Sequence, residues 1–183
     1  MCGRFNVSDD PAVQQLLNKL GIDTQQWPIR TSDFVRAAST ISILRDVNGK
    51  RRLDDAIWWL LLEKSSDGGF KPSRYTSFNT RYDKLDTPRS AGYQAYRQSR
   101  CIIVASGFGE TEIRDKTKHY HNFYAVDSAI AFAGLYRQWI DHRTGDVTFS
   151  ASIITIPPHP KLTPYHSKSS PLMLPQSADW LDM

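Results

Sequence analysis

Cysteine is scarce in this chain. Cys2 and Cys101 are the whole supply among 183 residues, which excludes a disulfide framework, and none of the five histidines stands at a metal-ligand spacing from either. Long apolar runs are missing as well: nothing approaches the roughly 18–20 residues that cross a bilayer, and no secretory h-region opens the chain. These absences lead us to expect a cytoplasmic protein in a reducing compartment, without membrane, metal or cofactor. Internal repeats and low-complexity tracts are absent too, and the net charge is only +4. So mild a charge is compatible with an anionic partner but does not identify one.

What is present suits a folded chain. Hydrophobic residues make up 40% and charged residues 23%, and the length predicts one domain, residues 1–183, whose core stands without staples. Asp9-Asp10-Pro11 reads as an N-cap and first-turn proline, Val13, Leu16, Leu17 and Leu20 then share a helical face, and Gly21 ends the helix. Residues 22–38 carry no regular pattern. Asn48-Gly49 lies between two extended runs and marks a tight hairpin. The segment from Glu63 to Phe70, with Ser65-Ser66-Asp67-Gly68-Gly69, reads as a loop, and Thr87-Pro88 opens a predicted helix to about Gln98. Cys101–Ala105 reads as a short buried strand, with Cys101 in the core, followed by a glycine-containing loop from Gly107 to Glu112. Further strands are expected at His121–Asp127, Ala129–Gln138 and Val147–Ile156, and a last helix around Gln176–Leu181 would bury Trp180. The predicted class is α+β: a mainly antiparallel sheet or open β-barrel with a few peripheral helices.

Chemistry gathers at the first residues. Cysteine is small enough for the initiator methionine to be trimmed, which would leave Cys2 with a free α-amine beside its thiol. The amine titrates near roughly 7.7–8.0 and the thiol near roughly 8.5, so both are partly reactive at neutral pH. Such a 1,2-aminothiol condenses with an aldehyde to an imine and then closes to a thiazolidine. Alternatively the sulfur attacks an amide carbonyl, with the amine as base. Three further polar residues stand at strand ends or in Gly- and Pro-rich segments, where side chains reach solvent: Asn79, Glu110 and His166. Taken singly, each reads equally as a turn former, a solvated charge and a surface histidine; Glu112 and His159 are their respective neighbours and rivals.

Four blocks together carry a resemblance. Met1-Cys2-Gly3-Arg4-Phe5, Asn79-Thr80-Arg81, Gly107-Phe108-Gly109-Glu110, and His166 ahead of Pro171-Leu172-Met173-Leu174 are similar, in order and spacing, to the SRAP family, the SOS-response-associated peptidases. Trp58-Trp59 and Phe132–Tyr136 also resemble the family pattern, so the likeness spans nearly the whole chain. It implies an SRAP-like fold and a protein that recognises abasic sites in single-stranded DNA and joins itself to them through Cys2 as a thiazolidine. By the same resemblance Asn79 orients the amine or the sugar, Glu110 shuttles protons in formation and reversal, and His166 assists ring opening. Arg4, Arg81 and Lys168 would hold phosphates, Trp58 or Trp59 would offer a stacking surface, and a self-processing peptidase activity would remove Met1. A monomer is the default expectation.

The chain departs from the family at three places. Phe108-Gly109-Glu110-Thr111 lacks the tryptophan that usually follows the glutamate. Phe34-Val35-Arg36-Ala37 replaces an Asn-Val-Ala-Pro block, so one wall of the pocket is altered. His166-Ser167-Lys168-Ser169-Ser170-Pro171 is one residue longer than His-x-Arg-x-Pro, and its lysine meets a phosphate as a point charge without a bidentate fork. Two other readings stay open: a non-catalytic single-strand-binding module of the same fold, and an N-terminal-nucleophile glutamine amidohydrolase, whose chains also begin Met-Cys-Gly.

Overall fold

The computed structural model describes residues 3–66, 68–177 and 179–182. The chain opens with β1 (Arg4–Val7) and α1 (Pro11–Lys19). Asp10 caps α1 by accepting from the Val13 amide at 2.9 Å, and Val13, Leu16 and Leu17 are its buried stripe. Next come β2 (Ser32–Arg36), β3 (Thr40–Val47) and β4 (Lys50–Ile57). Asn48 and Gly49, with φ of 55° and 77°, form the tight turn between the last two. The short strands β5 (Leu62–Lys64), β6 (Phe70–Pro72) and β7 (Asn79–Arg81) lead to α2 (Tyr93–Gln98). That helix is half the predicted length. The segment from Thr87 to Ser90 is held in turns, with Arg89 at a positive φ of 70°.

The second half is built from β8 (Arg100–Ala105), β9 (Gly107–Arg114), β10 (Thr117–Tyr124), β11 (Ile130–Ile140) and β12 (Val147–Ile156). A two-residue β13 (Ser170–Pro171) and the short α3 (Asp179–Asp182) follow, with Trp180 buried. Strands β11, β8, β3, β4 and β12 pair in that order, and β11 pairs with β12 in turn, which closes a five-stranded barrel. All neighbours in it are antiparallel except β4 and β12. The protein is therefore mostly β, and its barrel is closed. On β12 ride β7, in parallel, and β13. A second sheet runs β10-β9-β1-β2, all antiparallel.

Two apolar clusters hold these parts together. One lies under α1 and α3 and includes Leu16, Leu17, Ile102 and Trp180. The other joins barrel and sheet through aromatic residues: the Phe5 and Trp58 rings meet edge-on at 4.8 Å, and Phe5 and Phe108 both meet Phe132 edge-on. Cys101 is wholly buried in this second cluster, as the sequence predicts for a core residue. No helix among the described residues is long and apolar enough to cross a membrane.

Residues 107–114 depart from the sequence reading. The predicted glycine loop is the strand β9, and its glycines make room for neighbours instead of turning the chain. A Cβ on Gly107 would stand 2.6 Å from Tyr124 Cδ1, and one on Gly109 would stand 2.2 Å from Arg4 Nε. Two side chains lie flat on the sheet because those positions are bare.

Candidate active site

Glu110 sits on β9 opposite His121, with its side chain turned inward and only 4% of the residue exposed. His166 reaches it from the turn that begins at His159. Its Nδ1 lies 3.5 Å from Glu110 Oε2. Burial raises the Glu110 carboxyl from 4.5 to about 7, against the opposing pull of nearby positive charge that includes Arg4. Burial likewise lowers the His166 imidazole, and a hydrogen bond at the Thr111 backbone opposes that shift. Burial is the largest influence on each of the two groups. Near neutrality the pair is a carboxyl that is half protonated beside an imidazole that is mostly neutral, and a proton can pass to or from either.

Glu112, the rival two residues along, is a different kind of group. It bonds the His121 ring at 2.9 Å and both Arg114 nitrogens at 3.0 Å, and these contacts hold its carboxyl below the ordinary range. It stays ionised and serves as an anchor. The His121 ring in turn packs on Tyr165 at 4.7 Å, and Phe123 meets Tyr165 at 5.4 Å. Tyr165 precedes His166, so these contacts tie the histidine's turn to β10.

Around this pair lies a cleft of about 240 Å³ lined by Gly3, Arg4, Phe34, Thr111, Tyr120 and the glutamate and histidine themselves. Arg4 crosses bare Gly109 and donates to Asn122 Oδ1 at 2.8 Å and to the His121 carbonyl at 3.4 Å. Cys2 lies outside the described residues; Gly3, to which it is bonded, is part of the cleft wall. Thus the structure brings Arg4, Glu110 and His166 together.

The remaining expected site residues lie apart from that lining. Asn79 is on β7 beside Ile153 of β12, half-buried. It is linked toward the cleft through rings: its neighbour Phe78 meets Trp58 at 5.7 Å, and Trp58 meets Phe5, next to Arg4. Arg81 and Lys168 share a second cleft of about 360 Å³ with Thr155 and Ser169, where Arg81 is engaged by Asp83 at 2.7 and 3.0 Å. Trp58 is a correction. It is fully buried and its Nε1 donates to the Phe78 carbonyl at 2.9 Å, so it is a core residue and offers no face to a base. Trp59, half-buried and tilted against Phe78 at 5.6 Å, is the one of the pair with a surface. Sequence reasoning passed over Tyr120 at the cleft mouth, because the β10 alternation of Tyr120, Asn122 and Tyr124 begins before the strand start expected at His121.

Comparison with known proteins agrees with this architecture. The family model described as SOS response associated peptidase (SRAP) matches residues 1–183. The abasic site processing protein YoaM of Bacillus subtilis is 29% identical, over all of this chain and 79% of its own length. Among solved structures, a protein from Bordetella bronchiseptica superposes with a TM-score of 0.78 at 16% identity, over 98% of this chain and 88% of the other. One from Bacteroides thetaiotaomicron gives 0.74 at 22% identity, over 98% and 81%. At those identities the two structures are alike in fold.

Proposed function

Because the chain belongs to the SRAP family, we propose that it processes abasic sites in DNA, binding them in single strands and bonding to them covalently through Cys2. The observation that carries this reading is the buried Glu110–His166 pair, at 3.5 Å and poised near neutrality, in a cleft that Gly3 also lines. The relative that processes abasic sites supports it.

In this reading Met1 is removed first: the Cys2 thiol attacks the Met1 carbonyl, the Met1–Cys2 amide bond breaks to free the Cys2 amine, and water hydrolyses the resulting thioester to release methionine and restore the thiol. The ring-opened abasic sugar then presents an aldehyde. His166 takes the proton of the anomeric hydroxyl and gives it to the ring oxygen as that C–O bond breaks; the Cys2 amine then adds to the aldehyde carbon, and one of its protons passes to the alkoxide so formed. Protonated Glu110 gives its proton to the departing hydroxyl and takes one back from the nitrogen, so that one water leaves and an imine remains. The thiol adds to the imine carbon, its proton passes to the imine nitrogen, and a thiazolidine results. Asn79 orients the amine or the sugar by hydrogen bonding, and Arg4, Arg81 and Lys168 take phosphates. Trp59 gives one base a surface.

The test is incubation of the purified protein with single-stranded DNA carrying one abasic site, followed by a denaturing gel. A shifted band that vanishes for Cys2→Ala is expected. Binding without a covalent band would reduce the protein to a non-catalytic module, and glutamine hydrolysis without DNA affinity would replace the reading altogether.

A further inference from the structure

The mouth of the cleft carries a feature that the chemistry above leaves unused. Phe34 and Tyr120 are 55% and 65% exposed, and both rings line the one cleft. They straddle Arg4, whose guanidinium carbon lies 5.3 Å from the Phe34 ring centre and 5.7 Å from that of Tyr120. The arrangement is fixed from beneath, since Asn122 holds the guanidinium and bare Gly109 lets it lie on the strand. On the far side, Arg4 faces Arg36 across the β1–β2 pair, and like charges directly opposite repel. The in-register neighbours of this face are Gly109, Asn122, Thr111 and Tyr120. Paired cations between exposed rings are complementary to a chain of alternating phosphates and flat bases.

We propose that Phe34 and Tyr120 are stacking stations for the two bases that flank the abasic site, with the phosphate between them on Arg4 and the next on Arg36. This rests on the function proposed above and adds a requirement to it: a base held in a duplex cannot turn onto a side chain, so both flanking nucleotides must be unpaired. Phe34 and Arg36 stand within the Phe34–Ala37 block, where the sequence reads differently from the Asn-Val-Ala-Pro that the resemblance leads one to expect.

The full chain is titrated, by fluorescence anisotropy, with a single strand carrying a tetrahydrofuran abasic analogue and 2-aminopurine on one side of it, then on the other. Wild type should quench the 2-aminopurine on binding. Phe34→Ser and Tyr120→Ser should each weaken binding roughly tenfold and abolish quenching on one side, while Phe34→Trp and Tyr120→Phe keep both. Circular dichroism melts of the same variants show that the fold is kept. Unchanged affinity and quenching in both serine variants, with wild type binding, would overturn this inference alone; that result would mark the rings as a surface for a protein partner. No binding by wild type would overturn the proposed function and this inference together.

Discussion

The imidazole of His166 and the carboxyl of Glu110 lie 3.5 Å apart, yet each is shifted away from the charge that pairing would favour. Burial is the stronger influence on both. The protein thereby holds a protonatable carboxyl and a neutral base side by side near neutral pH.

A stability consequence follows for Glu110. Its carboxyl takes up a proton near pH 7 in the folded protein and near 4.5 when unfolded, so the folded state binds the extra proton between those values. The resulting stabilisation is fully present below about pH 4.5 and is lost as pH rises through about 7. Glu110→Gln has no proton to lose. Relative to wild type it should therefore gain up to about 3 kcal/mol at pH 8 and little at pH 4.5, read as thermal melts across that range.

The same substitution should slow crosslinking while sparing affinity. A positioned proton transfer contributes about 10²–10⁴-fold, so Glu110→Gln should lower the single-turnover rate by that order and remove a break near pH 7 from the rate profile. Noncovalent binding of an unreactive abasic analogue should change little. An unaltered profile would remove Glu110 from the chemistry.

Gly109 is expected to control Arg4 from below. A methyl group there would stand 2.2 Å from the guanidinium, a flexible end that can move aside, so Gly109→Ala should fold normally and still bind single strands less well. Arg4→Ala should weaken binding in the same direction and reduce the slope of log affinity against log salt by about 0.7, the contribution of one phosphate contact. A salt titration of both variants checks this.

The two tryptophans should separate cleanly. Trp58→Ala removes a fully buried ring from the Phe5–Phe78–Trp58 cluster and should cost about 3–5 kcal/mol, enough to unfold a marginal protein. Trp59→Ala should cost far less stability and instead weaken single-strand binding. Urea denaturation and anisotropy on the pair decide it.

How much of this the sequence discloses depends on the range of the interactions. The Asp10 cap, the Asn48-Gly49 turn and the buried Cys101 strand are legible because each is set by its own neighbours. Gly107 and Gly109 mislead because a bare position looks the same whether it bends a loop or seats a side chain from another strand; Arg4 and Tyr124, which decide the matter, are distant in sequence. Which of Trp58 and Trp59 turns inward depends on Phe5 and Phe78, again non-local. For the site, spacing alone cannot join Glu110 to a histidine in a later turn, and the pairing was visible only through likeness to a family. Tyr165, Phe34 and Tyr120 act through contacts across strands, and their sequence surroundings gave no sign of it.

The most direct measurement is the intact mass of the protein after reaction with single-stranded abasic DNA, taken before and after borohydride. The predicted mass is that of the protein without Met1 plus the oligonucleotide less one water, unchanged by borohydride because a thiazolidine has no imine to reduce. Retained Met1 in the adduct, a mass raised by reduction, or the same adduct from Cys2→Ala would contradict a bond formed by the amine and thiol of Cys2 together.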